Sequence, residues 1–152
     1  MVLRIIDFQE LTIHYKNYQD GVEFINNRKQ DFLNKVEPLK KEMNTIISEN
    51  QSPDTPENKK IKSAERFHTL QQEAIGFENE FKYELKKLND DLNVKCYDEL
   101  AEIIKDWSLE SKIDVVIGKM EVVFNKPEFE STDEILEIIK QKGLYVENKE
   151  ND

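Results

Sequence analysis

Metal or nucleophilic chemistry would have to come from His14, His68 and Cys96. The three residues lack the paired spacing of metal ligands. The histidines fall in separate elements, and His68 lies on the polar side of a long helical pattern. Cys96 is the only cysteine, so it forms no internal disulfide. It sits on an apolar stripe and reads as a packed thiol. The carboxylates alternate with lysines at helical spacing, as in Glu80, Glu84 and Lys87, and read as a solvated face. No two of the four glycines are close enough for a phosphate loop. The sequence predicts no catalytic residue, no metal site and no cofactor, and an enzyme is the least favoured class.

The remaining chemistry is adaptable apolar contact. Phe67, Phe77, Phe81 and Tyr83 crowd one stretch, and Met43, Ile46 and Ile47 lie in an earlier one. Aromatic and methionine side chains make surfaces that fit varied partners. Most of these positions also satisfy a plainer requirement, packing between two helices, with Phe32 facing the aromatic group. Tyr83 is off the stripe, and it and Tyr97 are expected to be exposed.

Long helices must position these groups. From Ile61 to Trp107 the apolar residues Phe67, Leu70, Ala74, Phe77, Phe81, Leu85, Leu88, Leu92, Cys96, Leu100, Ile103 and Trp107 step by threes and fours. Such a helix, roughly 70 Å long at 1.5 Å per residue, must project or pair. Ile25, Phe32, Val36, Leu39, Met43 and Ile46 supply a partner with the same spacing. Between the two runs, Gln51 to Lys60 holds Pro53 and Pro56 among polar residues and reads as a turn. The prediction is an antiparallel coiled-coil hairpin over residues 22–107 with a tip loop at 51–60. Pro38 interrupts the first arm and is read as a kink, since the apolar spacing carries through it. Gly21 is read as a break or bend before that arm. The return arm averages about 3.6 residues per apolar step, the period of a straight helix, so loose packing in places is expected.

Residues 1–21 and 108–152 form the predicted body. Leu3 to Phe8 reads as a strand, with a short helix starting at Asp7 or Gln9. Ile113, Val115, Val116 and Ile117 form a β-branched run. Met120, Val122, Val123 and Phe124 form a second, and Gly118-Lys119 between them suggests a β-hairpin with a II′-type turn. Ser131 or Thr132 caps a helix that Gly143 stops, and Leu144-Tyr145-Val146 suggests a last strand. The fold class is therefore α+β: a helical hairpin projecting from a small β-sheet body, plus a C-terminal helix. So little sheet leaves edges and an apolar face uncovered. Self-association covers both, so Leu3, Ile5, Val115, Ile117, Val122 and Phe124 are the candidate oligomerisation residues.

Charge narrows the partners. The net charge of −10 is uneven: residues 1–21 and 22–95 each carry −1, and residues 96–152 carry −8. A nucleic-acid binder needs a basic stripe, and Lys59, Lys60, Lys62 and Arg66 are diluted by Glu57 and Glu65. No apolar run approaches the roughly 20 residues of a membrane span. No leader follows Met1, so the chain reads as a mature form lacking its signal, or as cytoplasmic if none is encoded.

The order of strand, long helical hairpin, β-run and closing helix resembles the Skp/OmpH family of periplasmic chaperones. The match is clearest in Ile113-Asp114-Val115-Val116, Phe124-Asn125 and Thr132-Asp133-Glu134-Ile135-Leu136, and in the opening LRIIDFQEL. The resemblance implies a trimer whose strands pool into a small barrel. It also implies hairpins that cage unfolded outer-membrane-type clients without ATP, in the periplasm. Met43, Ile46, Ile47, Phe67, Phe77, Phe81 and Tyr83 are then the client-binding candidates. The best-known members are basic while this chain has a pI near 4.8, so no lipid or lipopolysaccharide site is carried over. The other readings are a coiled-coil scaffold that binds one folded partner and a prefoldin-like chaperone, whose strands would lie between two helices.

Overall fold

The computed structural model describes residues 1–148. Strand β1 (Leu3–Ile6) leads into helix α1 (Phe8–Ile13). Asp7 caps that helix: its carboxylate accepts from the backbone N–H groups of Gln9 and Glu10. Helix α2 runs over Lys16–Gln51 and α3 over Glu57–Glu110. Strand β2 (Val115–Gly118) and helix α4 (Thr132–Gln141) follow, with short 3-10 turns at Lys119–Glu121 and Pro127–Phe129. Among the described residues no helix is long and apolar enough to cross a membrane.

The chain divides into two compact units. One is Met1–Glu23 with the described residues from Asp90 onward, and the other is Phe24–Asn89. The second unit is the helical hairpin itself. Its seam buries Ile25, Val36, Ile46 and Leu70, and half-buries Phe32, Leu39, Met43, Phe67, Phe77, Phe81, Leu85 and Leu88. These are the positions of the two periodic stripes. Helix α2 continues through Pro38 without ending. At the tip, Thr55 Oγ1 donates to the Glu49 carbonyl at 2.7 Å, satisfying one of the acceptors a helix end leaves over. The Pro56 carbonyl starts α3 by accepting from Lys59 and Lys60.

The first unit has one core: Ile6, Leu11, Tyr15, Cys96, Leu100, Ile104, Trp107, Ile135, Leu136 and Ile139. Cys96 is buried there, and burial pushes its thiol above the usual range. Two helix ends show how the chain turns back onto this core. Helix α4 ends with Gly143 at φ 71°, with Gly143 N–H donating to Lys140 O and Leu144 N–H to Ile139 O, both at 3.0 Å. That double bond is the glycine-terminated helix stop. Helix α3 ends in the same way, with Lys112 in the glycine position at φ 56° and Ile113 N–H donating to Ser108 O at 2.9 Å.

Three sequence expectations change. Gly21 neither breaks nor bends the chain into an arm. The interruption falls earlier, at His14 and Tyr15, and Gly21 lies inside α2, where the Leu92 side chain occupies the space a Cβ would need. The β-hairpin does not form within the chain. Gly118 has φ −66° where a II′ turn needs a positive value. Instead β2 pairs in parallel with β1, in the register Leu3 to Val115 through Ile6 to Gly118. Val122, Val123 and Phe124 form no strand, and Leu144-Tyr145-Val146 yields a single antiparallel bridge, Tyr15 to Tyr145. Tyr145 is held between the His14 ring, stacked at 5.0 Å, and Lys140 Nζ, 4.6 Å from its centroid.

Candidate functional site

Within the hairpin unit, two arginine forks set which residues face one another. Arg28 donates to both Glu84 oxygens, with Nη2 at 2.7 Å from Oε1 and 3.0 Å from Oε2. Arg66 grips Glu42 in the same manner, Nε to Oε1 at 2.8 Å and Nη2 to Oε2 at 3.1 Å. Planar bidentate pairs of this kind fix geometry as well as charge. The Arg66 guanidinium holds the Glu42 carboxyl below the usual carboxylate range. Glu84 is thus partnered across the hairpin and is not simply part of a solvated face. Arg66 is likewise committed, which thins the weak basic patch further.

Between the forks the aromatic candidates meet. Phe32 and Phe81 stack at 4.4 Å with planes 10° apart. With Phe77, Lys35, Glu80 and Glu84 they bound a small gap of about 50 Å³. Toward the tip, Ile46, Ile47, Asn50, Gln51, Ala64 and Phe67 line an open, mostly apolar cleft of about 340 Å³. Ile46 is buried, Met43 and Phe67 are half-buried, and Ile47 is exposed. Tyr83 is 76 % exposed and stands apart from both groups. The candidates therefore separate into a stacked seam (Phe77, Phe81), a tip cleft (Ile46, Ile47, Phe67), the half-buried Met43 and the solvated Tyr83. Phe24, Leu33, Ile61 and Ile75 are also exposed. Sequence reasoning passes over them because they fall out of phase with the seam stripe, and that phase difference is the available signal.

In the other unit, Ile5 is internal. It is 3 % exposed, pairs with Ile117 on one side, bridges Glu130 on the other, and accepts from Ser131 N–H at 3.0 Å. The other candidates are nearer the surface. Leu3, Ile117 and Val122 are half-buried and Val115 is exposed. Among the described residues nothing pairs with the outer edge of β2. Just beyond it Met120, Val123 and Phe124 face solvent, Val123 completely and Phe124 at 81 %. An open strand edge beside exposed apolar side chains invites another strand.

Tyr15 anchors a polar knot in the same unit. Its hydroxyl donates to Glu99 Oε2 at 2.7 Å, and Asn17 Nδ2 donates to the same oxygen at 3.0 Å. Burial first, then the Glu99 carboxylate, push the Tyr15 hydroxyl up to about 12. Among the described residues no three His, Cys, Asp or Glu side chains converge to hold a metal ion. His14 Nδ1 lies 3.0 Å from the Val146 carbonyl, while Cys96 is closed in the core, so neither meets a reactive partner.

The family model described as outer membrane protein (OmpH-like) matches residues 3–139. No curated protein matches the chain.

Proposed function

The chain belongs to the OmpH-like family, whose members are non-enzymatic periplasmic chaperones, and from its chaperone-type role we propose an ATP-independent holdase for unfolded outer-membrane-type proteins. The observation that carries this reading is the apolar surface left on the hairpin outside its seam. Leu33, Ile47, Ile61, Ile75 and Tyr83 stay exposed on helices whose seam is already filled. Scattered apolar side chains amid charges suit many weak contacts with a disordered chain, and a single folded partner would call for one continuous patch. Such contacts would keep clients from associating with one another, with no nucleotide needed.

Self-association is the second part of the proposal. Copies would add strands at the open edge of β2, using Val115, Ile117, Val122 and Phe124 together with Leu3, and a trimer would close the ring. The location that goes with such clients is the periplasm. The chain is acidic overall and its basic patch at Lys59, Lys60 and Lys62 is dilute, so lipopolysaccharide contact is not part of the proposal. Light scattering of a denatured β-barrel protein diluted into buffer tests the holdase reading. Suppressed aggregation at about one trimer per client is expected, and unchanged aggregation at that ratio overturns it.

A further inference from the structure

We propose that the tip cleft grips an extended apolar peptide segment, with Asn50 accepting a hydrogen bond from one backbone N–H of the bound strand. The proposal rests on the holdase reading and gives its substrate a conformation and a contact. Two independent observations meet at this place. The cleft is open, about 340 Å³, and its lining residues Ile46, Ile47, Asn50, Gln51, Ala64 and Phe67 are all uncharged. Its volume is at the low end of the roughly 300–1,000 Å³ usual for ligand sites, enough for side chains and too little for a folded element. The second observation is Asn50 Oδ1, which is shut off from solvent and has no hydrogen-bond partner.

A buried polar atom without a partner is uncommon in native proteins and calls for an explanation. Exchanging the amide oxygen and nitrogen would not remove the problem, because the nitrogen would then occupy the unpartnered position. The neighbouring acceptor is already used: the Glu49 carbonyl takes Thr55 Oγ1 and Ser52 N–H. Asn50 has therefore lost its water without gaining a bond. A donor arriving in the cleft would give Asn50 the partner it lacks, once the amide turns toward it.

The lining selects the donor. With no charged side chain in the wall, an ammonium or guanidinium would be stripped of water without compensation. An uncharged N–H flanked by apolar groups fits, and the peptide backbone supplies one. In helices and sheet interiors those N–H groups are already committed, so folded proteins are poor donors. In an extended chain side chains alternate with a period of two. One apolar side chain can then enter beside Ile47 and Phe67 while a backbone N–H turns to Asn50. Every residue except proline carries that N–H, so the contact reads conformation and not sequence.

The test uses the full chain and a fluorescein-labelled decapeptide alternating valine with serine. A second peptide carries N-methyl groups on alternate amides. Binding is read by fluorescence anisotropy for wild type, Asn50→Leu and Ala64→Glu, each checked for helicity by circular dichroism. Wild type should bind the plain peptide, and Ala64→Glu should abolish binding by placing a charge in the cleft. Asn50→Leu and N-methylation should each weaken binding about five- to tenfold, the worth of one ordinary hydrogen bond. Together they should weaken it no further. No binding to wild type, no loss in Asn50→Leu, or equal N-methyl losses in both proteins overturns the proposal. If wild type suppresses client aggregation while Asn50→Leu binds peptide unchanged, the grip falls and the holdase reading stands. Asn50-dependent peptide binding without suppression gives the reverse.

Discussion

Replacing Gly76 by alanine puts the new Cβ in open space, whereas the same change at Gly21 drives it into Leu92 Cδ1, 2.9 Å from Cδ2 and 3.1 Å from Cγ. Both glycines lie inside helices, so alanine brings each the same propensity gain of about 1 kcal/mol. At Gly76 nothing opposes it, and the variant should be more stable by that amount. At Gly21 the leucine must move. The close Cγ means that turning the methyl ends aside is not enough, and Leu92 packs against the core of its unit. Overpacking of this kind costs about 1–3 kcal/mol, so Gly21→Ala should be neutral to destabilising by about 2 kcal/mol. The two variants should differ by about 1–3 kcal/mol, and each kcal/mol moves the midpoint by about 2–4 °C at this chain length. The assay is thermal unfolding by circular dichroism at one fixed protein concentration, because any self-association adds to apparent stability. In a Leu92→Ala background the clash is gone, and Gly21→Ala should become stabilising. If Gly21→Ala raises the midpoint of the otherwise wild-type protein as far as Gly76→Ala does, the close-approach reasoning is wrong.

Lys112→Gly should stabilise the protein by about 0.5–1 kcal/mol in urea unfolding, since a lysine at φ 56° bears a left-handed penalty of about 1–2 kcal/mol that glycine escapes at some entropic cost. The raised Tyr15 value means that folding favours the neutral hydroxyl. Its contribution is intact below pH 10 and should fade as pH climbs toward about 12, so absorbance at 295 nm should show one of the five tyrosines ionising late, a lag Glu99→Gln should shorten. For Glu42 the sign is opposite. Its lowered value makes the Arg66 pairing a stabilisation present above about pH 4.5 and lost as pH falls through the lower folded value, and carboxyl NMR titration should return Glu42 toward 4.5 in Arg66→Gln. Phe124→Asp should reduce the mass measured by light scattering toward one chain while helicity is kept, and an unchanged oligomer would remove Phe124 from the interface.

The hairpin is legible in the sequence because its requirements are local. Every residue of the two stripes ends up buried or half-buried, and Pro53 and Pro56 bracket a turn that runs from Ser52 to Pro56. The β-hairpin expectation fails for the complementary reason. A β-branched run such as Val115 to Ile117 says that a strand forms, but its partner here is Leu3 to Ile6, more than a hundred residues away. Gly118-Lys119 looks like a tight turn only if the next run pairs back, and the chain enters a 3-10 turn instead. Gly21 misleads because local rules value a glycine for its freedom, whereas this one is used for the room it leaves Leu92.

The candidate site is legible in its apolar members and illegible in its polar one. Seam phase alone separates Phe77 and Phe81 from Tyr83, and the same phase, applied to Leu33, Ile61 and Ile75, marks them as exposed. Leu33 and Ile47 are fourteen residues apart, as are Ile61 and Ile75, two heptads in each case, which keeps each pair on nearly one side of its helix. An apolar residue that repeats off the seam stays available for the client contact proposed above, as Ile47 does while lining the tip cleft. Asn50 carries no such signal. Whether an asparagine at a helix end faces water or loses it depends on what the opposite helix brings alongside, here Ala64 and Phe67 across the tip. Apolar phase can be counted along one chain, but a stranded acceptor exists only after two segments have met. The grip therefore emerges at the level of packing, while the surfaces around it are written in the spacing.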